Sequence, residues 1–377
     1  MAMKLSRFGI SAAMLLAAVS VAAVPAAPRK PVIQVAILLD TSNSMDGLID
    51  QARTQLWSVV NELATARKNG QTPELQVGLY EYGNDSLPAA KGYVRKVLPL
   101  TTDLDKVSEE LFALKTNGGQ EYCGRVINDA VNGLAWSPSN NELKIIFIAG
   151  NEAFTQGAVD FRASCKTAIT RGIVVNTIFC GDQQTGIDTS WKEGADLADG
   201  RFTTIDQNYR VAEIVAPQDK EIAALGQQLN STYIAYGDTG RASASRQSGQ
   251  DAKLASAAPS ANIERQVAKS KSVYTNSSWD LVDAKNEGKV DLDKIATKDL
   301  PAEMQKMTPA QRNAHVEANA KKRSEIQKKI LKLDGERKQY VAKARTAKPA
   351  ATTLDAAVVA ATRTAGAKKG YSFPGTK

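Results

Sequence analysis

Between residues 31 and 230 the chain alternates apolar runs of strand length with helical stretches, and this alternation constrains the fold more than any other feature. Residues 31–39 (PVIQVAILL) form a continuous apolar run, as expected of a parallel strand buried on both faces. Residues 75–82 (LQVGLYEY), 93–98, 143–149 (LKIIFIA) and 173–180 (IVVNTIFC) read as further strands, and 201–205 as a short sixth. Between them, the spacing predicts helices over 48–67, 103–114, 121–134 and 159–170, with another starting at Pro217 and running to about 230. In the first helix Leu48, Ala52, Leu56, Val59, Val60, Leu63 and Ala66 fall at three- and four-residue steps. Such an order predicts an α/β fold: a doubly wound, mostly parallel sheet of Rossmann type, flanked by helices. Ligands of such sheets bind at the carboxyl ends of the strands.

Composition narrows the function classes. His315 is the one histidine, and the cysteines are Cys123, Cys165 and Cys180. Zinc-finger arrays, histidine-based triads and multi-histidine metal sites are thereby set aside. No G-x-S-x-G elbow is visible, and the cysteines lie far in sequence from the histidine, so a non-enzymatic protein is expected. The 43% hydrophobic and 23% charged residues match a soluble globular chain, neither a polytopic membrane protein nor a disordered one.

Residues 1–26 read as a secretory signal peptide. Lys4 and Arg7 form a basic start, an apolar stretch covers residues 8–23, and cleavage sites follow Ala23 and Ala26. The mature protein is therefore expected in the periplasm or outside the cell, with no transmembrane segment after cleavage. Charge divides the rest. Residues 28–239 carry 19 Lys/Arg against 26 Asp/Glu, a balance of −7, whereas residues 240–377 carry 27 against 14, a balance of +13. The basic half offers a surface for an anionic envelope polymer or lipid, and export argues against nucleic acid.

The chemistry sits directly after the first strand, in Asp40-Thr41-Ser42-Asn43-Ser44. Asp40, Ser42 and Ser44 offer hard oxygens two residues apart, a donor set suited to a divalent cation, Mg²⁺ first and Mn²⁺ or Ca²⁺ next, rather than zinc or copper. The alternative reading of the string is a cap for the helix that follows.

With this string placed between a buried strand and a long helix, residues 31–237 resemble the von Willebrand factor type A domain, whose hallmark is D-x-S-x-S, the metal-ion-dependent adhesion site (MIDAS). The strands LKIIFIA and VVNTIFCGD and the segment PQDKEIAALGQQLNSTYIAYG extend the resemblance. It implies a central, largely parallel sheet with one antiparallel edge strand, and binding of a protein partner through the metal. Asp40, Ser42 and Ser44 match the first motif. The family's threonine falls at Gln120 or Glu121, and its aspartate at the end of the fourth strand falls at Gly150. Glu121, Asn151 and Glu152 are the candidates to replace the missing oxygens, directly or through water. Gln120, Tyr122 and Asp182 are expected on the partner-binding rim; Asp85, in the Gly-Asn-Asp turn after the second strand, reads as a solvated turn residue, with a supporting acid near the site as the alternative.

An odd cysteine count in an exported chain implies one bridge and one free thiol, or an intermolecular bond. Cys165–Cys180 is the favoured pair and Cys123–Cys165 the next. Residues 238–261, rich in Ser, Ala and Gly, read as a linker, though their Ala and Gln content also permits a helix. Residues 262–347 read as a helical C-terminal region with a long helix over about 309–345, where Ile326, Ile330, Leu333, Arg337 and Tyr340 repeat at the four–three spacing of a coiled coil. A hairpin or long helix docked on the first domain is favoured over an independent coiled-coil dimer. Residues 348–377 read as a flexible Ala/Lys-rich tail anchored by Tyr371 and Phe373. Two functions compete: partner binding through a divalent-metal site, complete or degenerate, and scaffolding through the basic helical half with a vestigial site.

Overall fold

The computed structural model describes residues 30–209, 213–344 and 352–374. The signal-peptide segment lies outside them. The chain runs β1 (Val32–Asp40), α1 (Asp46–Leu63), β2 (Glu74–Tyr82), β3 (Val94–Thr101), α2 (Leu104–Ala113), α3 (Cys123–Gly133), β4 (Leu143–Gly150), α4 (Phe161–Thr170) and β5 (Ile173–Cys180). It continues through α5 (Gln183–Asp188), α6 (Trp191–Asp196), β6 (Phe202–Ile205), α7 (Asp219–Asn230), α8 (Gly240–Ala257) and α9 (Pro259–Lys269). It closes with α10 (Leu281–Asn286), α11 (Ala302–Gln305), α12 (Pro309–Ala344) and α13 (Leu354–Lys368).

The strands form one sheet in the order β3-β2-β1-β4-β5-β6. All neighbours are parallel except β2 and β3. The predicted doubly wound α/β architecture is therefore present, with a helical C-terminal region. The chain leaves β1 for β2 on one side and reaches β4 on the other, so the order reverses beside β1. Side chains alternate across the sheet. Ile33, Val35 and Leu39 of β1 join a core beneath α1, α2 and α13, while Ala36 and Leu38 join a second core beneath α3, α4 and α6.

That alternation overturns the favoured cysteine pair. Cys180 faces the first core and Cys165, on α4, faces the second, with the sheet between them. Cys123 shares the second core with Cys165, yet all three are buried free thiols. Burial pushes the thiol pKa of Cys165 up to about 12 and that of Cys180 higher still, so both are poor nucleophiles in the folded state. Denaturation without reductant is expected to release three titratable thiols per chain. A value of one would show a bridge.

The segment read as a linker is a helix. Within 238–261, α8 spans 18 residues, and its inward face is mainly polar: Ser243, Gln247 and Gln250 are buried together with Leu254. The Gln250 carboxamide oxygen accepts from Ser108 at 3.0 Å, and the Gln247 amide donates to the Tyr274 hydroxyl at 2.9 Å. The fully buried Arg265 of α9 completes the junction. It pairs with Asp105 of α2 at 2.6 Å and Asp251 of α8 at 2.5 Å, and its guanidinium lies 4.6 Å from the Trp57 ring. Buried charges persist when they are paired and hydrogen-bonded in this way.

On α12 the four–three stripe meets this chain's own helices. Ile326 and Ile330 pack with residues of α7 and α9. Arg337 pairs with Asp219 at 2.7 Å and Glu264 at 2.8 Å, and Tyr340 is exposed.

The Ala-rich tail is structural over 352–374. α13 lies beside α1 on the first core, where Leu354, Ala357, Val358, Ala361 and Ala365 are buried with Tyr371 and Phe373. The Leu354 and Asp355 amides donate to Gln51 and Gln55, and Ser58 donates to Asp355 at 3.0 Å. Tyr371 donates to the Val32 carbonyl at 2.8 Å, and Arg67 and Ser372 exchange two backbone bonds. The α/β unit is thus closed by the end of the chain, with α7 to α12 inserted between β6 and α13.

Candidate metal centre

The site forms where the strand order reverses, at the carboxyl end of β1. Asp40 is the last residue of that buried strand and is itself fully buried. Its Oδ1 accepts the Ser42 amide at 2.8 Å, which turns the chain towards α1. Its Oδ2 is buried and has no hydrogen-bond partner. The Ser42 and Ser44 hydroxyls lie 3.3 Å apart, and the Asn151 amide donates to Ser44 Oγ at 3.1 Å. Asn151 Oδ1 is likewise buried without a partner.

Glu121 reaches the centre from the loop ahead of α3 and is buried. A Cβ built on Gly83 would lie 2.7 Å from both Asp40 Oδ1 and Glu121 Cγ, so the bare Gly83, at φ +78°, admits both acids. The Glu121 amide donates to Gln156 Oε1 at 3.2 Å. The loops behind are laced together: Asn117 donates to the Thr41 carbonyl at 3.0 Å, Asp85 to the Gly118 carbonyl, and the Asn84 side chain to the Lys115 carbonyl at 2.8 Å.

Gly150 stands at the aspartate position, and here the structure adds a residue that sequence reasoning missed. A Cβ on Gly150 would lie 2.5 Å from the Tyr82 hydroxyl and 2.9 Å from Asp40 Oδ2. Tyr82 is opposite Asp40 in the strand register, fully buried, and donates to the Ala149 carbonyl at 3.0 Å. Its hydroxyl fills the space a side chain at 150 needs. The available signal was the position of Tyr82 at the end of the strand beside β1. Gly150→Ala is expected to cost about 1–3 kcal/mol by overpacking. Adding Tyr82→Phe is expected to recover part of that, and equal melting temperatures for wild type and Gly150→Ala would contradict the clash.

The remaining predicted residues divide. Glu152 is exposed beside the centre, where Gln156 donates to it at 3.4 Å. Gln120 is exposed on the same loop as Glu121. Tyr122 turns sideways, edge-on to Tyr93 at 5.8 Å and under Gly157. Asp182 caps α5, accepting from the Thr185 amide and hydroxyl. Asp85 is exposed on the loop after β2.

Electrostatically the centre is an acid pair. Burial pushes Asp40 up to about 7 against the lowering effect of the Ser42 hydrogen bonds, with Glu152 raising it further. Burial, and then the charges of Asp40 and Glu152, push Glu121 up to about 8. The charged neighbours acting on the pair are themselves carboxylates. An orphaned carboxylate oxygen, two adjacent hydroxyls and a second buried acid fit a hard divalent cation. Among the described residues no three His, Cys, Asp or Glu side chains gather as a metal-binding group.

The sequence profile of the von Willebrand factor type A domain matches residues 34–194. Residues 34–194 are a von Willebrand factor type A domain. The type A domain thus supplies β1 to β5, the centre and α6, while the helical region lies beyond the matched residues. Among solved structures the chain is similar to the hypothetical protein BatB from Bacteroides thetaiotaomicron, at 18% identity, over 46% of this chain and 90% of that one, with a TM-score of 0.36. It is similar to the SpRpn10 VWA domain at 16% identity, over 48% of this chain and 100% of that one, TM-score 0.35. It is also similar to proximal thread matrix protein 1 from the mussel byssus with a zinc-occupied MIDAS motif, at 12% identity, over 46% and 42% of the two chains, TM-score 0.34. No curated protein matches the chain. Type A domains commonly mediate protein interaction and adhesion. Among the described residues no helix is long and apolar enough to cross a membrane.

Proposed function

We propose that this chain is an exported, non-enzymatic binding protein that engages a protein partner at the carboxyl edge of its sheet, around a divalent cation held by Asp40, Ser42, Ser44 and Glu121. The observation that carries the reading is the buried Oδ2 of Asp40, which has no hydrogen-bond partner at the switch point of the sheet while Oδ1 accepts the Ser42 amide. A cation supplies the positive charge that this acid pair lacks. Mg²⁺ suits the donor set first, with Mn²⁺ and Ca²⁺ next. The rim offered to a partner is polar, formed by Asn43, Ser44, Gln120 and Glu152 around the centre and bordered by Tyr122 and Asp182. The type A match supports binding rather than catalysis, and the apolar start of the sequence supports export.

Immobilised protein exposed to an envelope extract tests this. A partner held in Mg²⁺, released by chelator and not retained by Asp40→Ala supports the reading. Retention unchanged by chelator and by that substitution contradicts it.

A second reading places binding on α12. Its exposed residues include Lys321, Lys322, Lys328, Lys329, Lys332, Lys338 and Lys343 against Glu317, Glu325 and Glu336. Such a face suits an anionic envelope polymer or lipid surface, with the metal centre vestigial. Its signature is binding indifferent to chelator and lost at high salt, because exposed charges are screened.

A further inference from the structure

The centre departs from the family pattern at two positions, and the structure relates them. One departure adds a carboxylate at 121 and the other removes one at 150, so the number of acids is conserved while their placement is not. We propose that Glu121 supplies, from the loop ahead of α3, the second carboxylate that Gly150 withholds, so that the cation is held between β1 and the 116–122 loop rather than between β1 and β4. This rests on the cation reading above.

Three observations carry it. First, position 150 is closed: the Tyr82 hydroxyl occupies the place into which a side chain there would grow, so the β4 end offers the neutral Asn151 amide beside Ser44 and no carboxylate at 150. Tyr82 is pinned there by its bond to the Ala149 carbonyl, and its ring is buried in the second core. Second, the opposite side is open to an acid: Gly83 leaves room for the Glu121 chain against Asp40 Oδ1, and any larger residue there would strike both. Third, the Glu121 backbone is fixed. Its amide is held by Gln156, its carbonyl accepts the Cys123 amide at 3.1 Å, and the loop before it is bonded to Thr41 and Asp85. A carboxylate held this way reaches Asp40 without the ordering cost of a free loop side chain. Two buried acids side by side, with no basic group acting on them, are tolerated when a cation lies between them.

The consequence is mechanical. Glu121 lies two residues before α3, so a cation held by Asp40 and Glu121 ties the start of α3 to the end of β1. Loading is therefore felt first in the loop that presents Gln120 and Tyr122, and reaches the β4–α4 loop through the Ser44–Asn151 and Glu121–Gln156 hydrogen bonds.

Mn²⁺ binding to the full chain, followed by electron paramagnetic resonance, tests the placement. Wild type is expected to bind and Asp40→Ala to lose binding. Glu121→Thr, the family residue, and Glu121→Gln, which keeps the volume, are each expected to weaken binding by at least about tenfold. In the Glu121→Thr background, Gly150→Asp with Tyr82→Phe is expected to recover affinity, whereas Gly150→Asn with Tyr82→Phe is not. Circular dichroism melts confirm that each variant is folded. If both Glu121 variants bind as wild type while Asp40→Ala does not, the cation site stands and the relocated carboxylate is overturned. Recovery with Gly150→Asn equal to that with Gly150→Asp overturns it as well. If Asp40→Ala also binds as wild type, the cation reading itself falls.

Discussion

A chain ending at Ala344 is expected not to hold its fold at room temperature. It lacks α13, and with it the buried side chains of Leu354, Val358, Tyr371 and Phe373. Burying each such side chain contributes roughly 1.5–3 kcal/mol, so the four together account for roughly 6–12 kcal/mol. Total stabilities of domains run only about 5–15 kcal/mol. The loss also bares the apolar face of β1, β4 and β5 and strips Gln51 and Gln55 of the amides they cap. Leu354→Ala is the milder form, with an expected cost of about 2–5 kcal/mol. Circular dichroism and thermal melts read both. A truncated chain that melts within a few degrees of the full one would show that the residues up to Ala344 hold together without α13, which merely rests on them.

The second large effect joins pH to the cation. Asp40 lies at about 7 in the folded chain, against about 3.9 for an unfolded aspartate. Between those values the native state binds the extra proton, so stability falls as pH rises. The stabilisation associated with the protonated acid is complete below pH 4 and lost once pH passes 7. For Asp40 alone the swing is on the order of 4 kcal/mol at 1.36 kcal/mol per pKa unit. Glu121, also raised, acts in the same direction. In chelator, urea midpoints are therefore expected to drop steadily from pH 4 to pH 8. Asp40→Asn is expected to flatten much of that slope and to exceed wild type at pH 8. A divalent cation at pH 8 is expected to restore the wild-type midpoint and to leave Asp40→Asn unchanged. A flat profile in chelator would contradict the buried, uncompensated acid.

Most of the sheet was legible because parallel strands covered on both faces must be apolar throughout. Residues 31–39, 143–149 and 173–180 are apolar runs too short for buried helices, and β1, β4 and β5 stand there. The position of Asp40, Ser42 and Ser44 at the end of such a strand was legible for the same reason. What was not legible depends on neighbours distant in sequence. α8 carries Ser and Gln on its buried face because it packs against polar groups such as Ser108 of α2 and the Tyr274 hydroxyl, and its composition therefore imitates a linker. α13 is built of alanine and valine that fit closely against α1, and composition alone imitates a loose tail. The cysteine pairing failed because adjacency of α4 and β5 in sequence says nothing about which face of the strand Cys180 takes. Gly150 looked like a lost ligand, and only the register of Tyr82 against Asp40 shows that its place is filled.

Calorimetric titration of Mg²⁺, Mn²⁺ and Ca²⁺ into chelator-treated protein, with Asp40→Ala alongside, tests the central claim most directly. Saturable binding in the wild type that vanishes in Asp40→Ala is the predicted result. No binding in either protein, or equal binding in both, would contradict a cation held at the end of β1 and move attention to the basic face of α12.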